Sequence, residues 1–251
     1  MHSTLLTAGA FGLLSTFSVF AEDTVVKTRT DRVRLFEVPF RCEAAPDIGC
    51  GSMSKPVLLE LERDPTISEA WLNGTGTILA VIGSETTGRQ STYQAVQSVL
   101  EKNGVTGNEL VGDAYAVQLK SFTTGKDWYR GAEVDALSKI EARTIALRIV
   151  RRVQASVTLA PDTAAALDAG IANAFERRFI DSSKEAGPVC QHEQLVADIT
   201  AAARANLTEK EIEALKAAFA KGIRPLPEDD ETAKSKSGFP DCCRLPSQTT
   251  R

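Results

Sequence analysis

This chain of 251 residues has few histidines and no excess of positive charge. It has two histidines, and because His2 lies in a segment expected to be removed, His192 would be the only histidine left for acid-base chemistry. No nucleophile–histidine–acid set, carboxylate pair or cofactor fingerprint stands out in the sequence. The 29 basic residues are outnumbered by 33 acidic ones, which argues against a nucleic-acid-binding surface. These absences predict a non-enzymatic protein without catalytic residues, an organic cofactor or a nucleic-acid partner.

Long hydrophobic runs are lacking as well. The apolar stretch from Leu5 to Phe20 has 16 residues, whereas a membrane-spanning helix needs about 20. It ends in Phe20-Ala21 before the polar Glu22, a pattern typical of a secretory signal peptide. We therefore predict a cleaved signal peptide over residues 1–21, no integral membrane span after cleavage, and a periplasmic or secreted protein. No Lys or Arg precedes the apolar run, and a retained anchor is the alternative.

Cysteine is present in an odd number. The five cysteines are Cys42, Cys50, Cys190, Cys242 and Cys243. In an oxidising compartment at most two intrachain bridges can form, so at least one thiol should be left over or held reduced by a metal.

Hydrophobic periodicity predicts an α+β first half. Residues 33–40, 67–72, 77–82 and 114–122 have strand-like patterns, and helices are expected at 56–63, with Ser54 as its cap, and at 92–103. The resulting order, β-α-β-β-α-β, is that of the ferredoxin-like motif. We predict such a domain over residues 32–124. Its two helices should lie on one face of a four-stranded sheet, with the first strand paired to the third.

The second half is predicted to be helical. Helical spacing occurs at residues 140–153, 163–179, 195–205 and 209–220, and capping boxes are expected at Ser138/Glu141 and Thr208/Glu211. We predict an all-helical domain over residues 134–224, packed on the sheet domain through Trp128 and Tyr129. The basic run 148–152 should be a solvated helix face. The acidic and Pro-rich composition predicts a disordered tail over residues 225–251.

Four features of residues 34–122 point to a known family. Cys42 follows the first predicted strand, the segment from Asp64 to Asn73 leads into a strand, Thr77 to Val81 forms the third strand, and the second helix ends at Gly104. With these features the stretch resembles the heavy-metal-associated domain, which includes copper chaperones and periplasmic mercury-binding proteins. The family's two cysteines are two residues apart, whereas seven residues separate Cys42 from Cys50. The helical half resembles no family known to us.

The pair Cys42 and Cys50 is the main candidate site. Thiolates are soft ligands, and a position before a helix N-terminus is expected to lower their pKa values. The leading prediction is an exported, soluble protein that binds a soft ion (Cu, Zn or Hg) through this pair. One alternative is an interaction module, with an unknown protein partner, in which the pair is a structural disulfide. A second is a thiol-disulfide exchange protein, and the residues alone leave these alternatives open.

A second candidate site is weaker. Cys190 and His192 have a Cys-x-His spacing, and Cys242 and Cys243 in the tail could supply further ligands. A tetrahedral metal site needs four such ligands, so we predict a composite site only if the tail reaches the helical domain.

Overall fold

The computed structural model describes residues 29–182 and 192–229, and within them the chain is a mixture of helix and antiparallel sheet. The sheet has the strands β1 (Val33–Glu37), β2 (Ile67–Asn73), β3 (Ile78–Gly83), β4 (Asn108–Glu109) and β5 (Trp128–Tyr129), in the order β4-β1-β3-β2-β5. The helices are α1 (Gly51–Leu61), α2 (Arg89–Lys102), α3 (Gly112–Thr123), α4 (Asp135–Gln154), α5 (Pro161–Ser182), α6 (His192–Ala203) and α7 (Glu209–Ala220). A 3-10 turn, Pro227–Asp229, follows α7.

The centre of the sheet is β3, which is buried along its whole length. It is antiparallel to β1 on one side and to β2 on the other, with Val33 opposite Ile82 and Leu72 opposite Leu79. The predicted pairing of the first strand with the third is therefore confirmed. Because both faces of β3 are covered, its sequence is apolar throughout instead of alternating.

Helices α1 and α2 cover one face of the sheet, as predicted. Leu58 and Leu61 of α1 and Val96 of α2 belong to one buried cluster with Phe36 and Leu79 of the sheet. Helix α2 ends where expected, because Gly104 adopts a left-handed conformation with φ 66° just beyond it, which costs glycine little.

The prediction of a strand over residues 114–122 is wrong, because this segment is helix α3 and covers the opposite face of the sheet. Tyr115, Leu119 and Phe122 pack on that face, and their spacing of four and three residues is helical. Val117, which completed the apparent strand alternation, is 65% exposed. The sheet's fourth strand is instead the short β4 beside β1, and β5 adds a fifth.

The helices of the second half are confirmed, with boundaries close to those expected. Thr208 and Glu211 form the predicted capping box of α7, in which each side chain bonds the other's backbone N–H. The box at Ser138 and Glu141 is wrong, because α4 already begins at Asp135 and buries both side chains. The cap at Ser54 is wrong as well, because α1 begins at Gly51 and Ser54 lies inside it.

The predicted solvated face at residues 148–152 is also wrong. Arg148 is 1% exposed and Arg152 is 6% exposed, whereas Arg151 between them is exposed. Arg152 forms a buried ion pair with Asp229, with 2.6 Å between Nη2 and Oδ2. Residues 225–229, assigned to the tail from sequence, therefore pack against α4.

The two halves meet through α1, α4 and the loop between β1 and α1, and not through Trp128 and Tyr129. Trp128 packs against Phe122 on the far face of the sheet, with ring centroids 5.0 Å apart, and Tyr129 packs against the cluster beneath α1 and α2. None of the helices in the described ranges is both long and apolar enough to span a membrane.

Candidate functional site

The loop that carries Cys42 and Cys50 is a tight hairpin, called here the cysteine loop (residues 41–50). Arg41 bridges Gly49 in antiparallel fashion. The N–H of Cys42 donates to the Ile48 carbonyl at 3.0 Å, and the N–H of Cys50 donates to the Phe40 carbonyl at 2.6 Å. The hairpin folds the seven intervening residues back on themselves, so both cysteines lie at its base beside α1, with Cys50 as the N-cap residue of that helix.

Glycines allow the hairpin and α1 to approach their neighbours closely. A Cβ at Gly49 would lie 2.8 Å from the Cα of Gly76, in the turn between β2 and β3. A Cβ at Gly51 would lie 2.4 Å from the Ser138 hydroxyl and from the Val134 carbonyl. Gly51 therefore allows the N-terminus of α1 to sit directly against the first turns of α4, and this contact places α4 beside the cysteines.

Both cysteines are buried thiols that form no disulfide with each other. Cys42 is 2% exposed and Cys50 is 5% exposed, and the Cys50 sulfur lies 3.3 Å from the Ser52 hydroxyl. Burial raises the pKa of the Cys42 thiol well above its usual value, and the nearby Glu141 and Cys50 raise it further. For Cys42, the lowered pKa expected from sequence is therefore wrong, because loss of hydration disfavours the thiolate here.

Glu141 of α4 is the site residue that the sequence analysis missed. Its side chain is 1% exposed, and its carboxylate accepts a hydrogen bond from the Cys42 thiol. The sequence pattern predicts this residue only as part of a capping box with Ser138. A signal was present, because Leu137, Glu141 and Ile145 follow one another at intervals of four residues on the apolar stripe of α4, and residues on such a stripe face the core.

Two arginines of the second half, Arg148 and Arg224, contact the cysteine loop through their side chains. Nη1 of Arg148 donates to the carbonyl of Ala44 at 2.7 Å, within the loop, and to the carbonyl of Ile223. Arg224 forms an ion pair with Glu43, also within the loop. The loop is thus fixed by α1, by α4 and by the segment after α7.

Of the residues predicted to hold a metal, the structure describes the side chains of Cys42 and Cys50. Within residues 29–182 and 192–229, no group of three or more His, Cys, Asp or Glu residues is arranged to hold a metal ion. Cys42 and Cys50 lie on one loop as predicted. Cys190, Cys242, Cys243 and the side chain of His192 lie outside the described residues, as do residues 1–21, so the composite site and the signal peptide stay predictions.

The described residues also form a groove between α5 and α6. It has a volume of about 500 Å³, and Leu167, Ile171, Leu195, Ile199 and Arg177 are among its lining residues. It is remote in sequence from the cysteine loop and contains neither cysteine.

Compared with known proteins, the chain matches no family model, no curated protein and no solved structure.

Proposed function

We propose that this chain is a soft-metal-binding protein in which Cys42 and Cys50 together hold one ion. The observation that carries the proposal is a pair of thiols on one hairpin, beside a buried carboxylate that already takes a hydrogen bond from one of them. Such an arrangement supplies soft donors in a site from which water is largely excluded. An ion binding there displaces the thiol protons, as thiolate ligation requires.

The donor set narrows the choice of metal. Structural zinc takes four protein ligands, and the described residues supply only two thiols, without a cluster of three candidate ligands. Cu(I) and Hg(II) favour sulfur ligands, and each can be bound by two thiolates alone, in linear coordination. The site therefore suits these two ions better than Zn(II).

The element order supports the resemblance to heavy-metal-associated domains. The sequence β1-α1-β2-β3-α2-β4 is the order of a ferredoxin-like unit, and the cysteines follow β1, as in that family. We propose that this half is a variant of that unit, with a fourth strand reduced to Asn108–Glu109 and with α3 and β5 added. The export signal and the periplasmic or secreted location belong to the same proposal.

Burial of the pair suggests how the protein uses the ion. An exposed pair could pass its ion quickly to a partner, whereas Cys42 and Cys50 are buried in one apolar cluster with residues of α4, α5 and α7. We propose that the protein retains or senses the ion and does not pass it on rapidly.

A second candidate is an interaction module that binds no metal. Cys42 and Cys50 share a buried cluster with Ala44, Ile145 and Ile149, and buried cysteine packs well as a small apolar side chain. In this case the pair only joins the two halves of the protein.

Metal stoichiometry separates the two candidates. The protein should be prepared reduced, with Cys190, Cys242 and Cys243 replaced by Ser so that no other thiol competes, and titrated with Cu(I) against a competing chelator. We expect one ion per chain and a rise in thermal stability, since the ion binds the folded state. Adding Cys42→Ser should abolish both. A folded background protein that takes up no ion would refute the metal proposal and leave the interaction module.

A further inference from the structure

We propose that Arg148 is a latch on the cysteine loop, so that the segment from Gly222 to Asp229 controls access to Cys42 and Cys50. The inference deepens the proposed function, on which it rests for the identity of the ion that is admitted. The contacts that form the latch do not depend on any metal.

The first part of the latch is Arg148 itself. Its side chain is almost completely buried and donates from one nitrogen to two carbonyls, those of Ala44 in the cysteine loop and Ile223 after α7. A buried guanidinium is tolerated only when it is well paired. The same side chain therefore ties together two segments that are about 180 residues apart in sequence, from Ala44 to Ile223.

The second part is the segment from Gly222 to Asp229, to which Arg148 donates a hydrogen bond at Ile223. Arg152, one turn further along α4, donates to the carbonyls of Gly222 and Arg224 and pairs with Asp229. The side chain of Arg224 in turn pairs with Glu43 of the cysteine loop. The segment thus lies across the loop and is attached to it on one side and to α4 on the other.

Access to the sulfurs requires these contacts to open. The inner wall of the site is α4, which carries Glu141 and continues the core. The cysteine loop and the segment after α7 are short, and Arg148 and Arg152 join them to this wall. Releasing Ala44 from Arg148 frees the middle of the loop without unfolding α1 or α4. An ion that enters the pair therefore enters through this opening.

The rate at which Cys42 and Cys50 react with a small neutral disulfide reagent measures the opening without any metal. The background again has Cys190, Cys242 and Cys243 replaced by Ser. Arg148→Met should speed the reaction about tenfold or more, since hydrogen bonds from a buried charged group are lost. Arg224→Gln, tested separately, should speed it by a smaller factor, since it removes an ion pair with Glu43 in which Arg224 is partly exposed. Arg148→Lys keeps a hydrogen-bond donor, so its rate of reaction should lie between the rates of Arg148→Met and of the background protein. Arg151→Met, a change to the exposed neighbour, should leave the rate unchanged.

A matched destabilised variant separates local opening from general loss of stability. Leu58→Ala weakens the sheet core without touching the latch, and should accelerate labelling much less than an Arg148 or Arg224 variant of equal global stability. Equal acceleration by Leu58→Ala, or no acceleration in folded Arg148→Met and Arg224→Gln, would overturn the latch. If Arg148→Met does not fold, Arg224→Gln alone decides. Fast labelling in the latch variants of a protein that binds no Cu(I) would uphold the latch and refute the metal site.

Discussion

Helices α1 and α4 are in contact and enclose the same two cysteines, yet they are stabilised by different forces. The buried residues of α1 are Gly51, Ser54, Val57, Leu58 and Leu61, none of which carries a charge. The buried residues of α4 include Glu141, Arg148 and Arg152. Helix α1 packs on the sheet by apolar contact and joins α4 through a partly buried ion pair between Lys55 and Asp135. Helix α4 is also held by fully buried charges that contact the cysteine loop and the segment after α7.

The difference shows what each kind of packing can do. Apolar contact is non-directional, so the buried face of α1 needs only a complementary surface on the sheet. A buried arginine needs defined acceptors, so Arg148 and Arg152 fix particular carbonyls and one carboxylate in place. Charged contacts of this kind are suited to holding short connecting segments, such as the cysteine loop, against a helix.

The largest expected effect comes from breaking a charged contact of α4. Arg152→Met leaves Asp229 buried without its partner, and breaking a buried ion pair in this way costs about 3–5 kcal/mol. Urea unfolding of Arg152→Met should show that loss. Arg151→Met is the matched control, because an exposed substitution should stay within about 0.5 kcal/mol of the wild type. If Arg152→Met lost less than about 0.5 kcal/mol, like the control, the ion pair would not hold the segment after α7.

Apolar truncation tests the other side of the comparison. Leu58 of α1 is fully buried, so Leu58→Ala should cost about 2–5 kcal/mol in the free energy of unfolding. Leu119 of α3 is only partly buried on the opposite face of the sheet, and Leu119→Ala should cost about 1 kcal/mol, since less apolar area is removed from contact. Equal losses in the two variants would contradict the claim that α1 carries the main core and α3 only covers the sheet.

The smallest effect is a dependence on pH. Hydrogen bonds from Arg152 hold the pKa of Asp229 below its ordinary value, and the Leu226 N–H adds to this. Because the folded-state pKa is the lower one, the stabilisation is fully present above the ordinary Asp pKa of about 3.9 and is lost as the pH falls through the folded value.

The stability of the wild type should therefore fall on acidification below about pH 4 more steeply than that of Asp229→Asn, when both are followed by urea unfolding at a series of pH values. Glu228→Gln, at the exposed neighbouring position, should behave like the wild type. If the free energy of unfolding fell equally steeply below about pH 4 in Asp229→Asn and in the wild type, the Asp229 carboxylate would contribute nothing to the stability of the folded protein.

The sequence predicts the parts of the fold that depend on apolar pattern. The helices of the second half follow from periodicity and are present. The pairing of β1 with β3 and the covering of one face by α1 and α2 follow from the ferredoxin-like element order, and both are present. These elements bury one stripe or face against a neighbour, which leaves a regular trace in the sequence.

Residues 114–122 show where pattern alone misleads. Tyr115, Val117 and Leu119 alternate like a strand, but Tyr115, Leu119 and Phe122 also fit one helix face, and a short apolar pattern does not separate the two. The tertiary context decides, because the second face of the sheet needs a cover.

The candidate site was located but not described by the sequence. Cys42 and Cys50 were found from their place after β1, but their burial, the raised pKa of Cys42 and the role of Glu141 depend on α4, which lies about 90 residues further along the chain. The basic run 148–152 was predicted to be a solvated helix face, and the pattern does not show that Arg148 finds carbonyl partners in two other segments, which allow it to be buried.

X-ray absorption spectroscopy of the Cu(I)-loaded protein, in the background with Cys190, Cys242 and Cys243 replaced by Ser, tests most directly whether Cys42 and Cys50 are the ligands of one soft ion. The proposed site predicts that two sulfur atoms coordinate the copper, and that bound copper is lost when Cys42 is also replaced by Ser. Copper bound through nitrogen or oxygen alone, or two-sulfur coordination that survives Cys42→Ser, would contradict it.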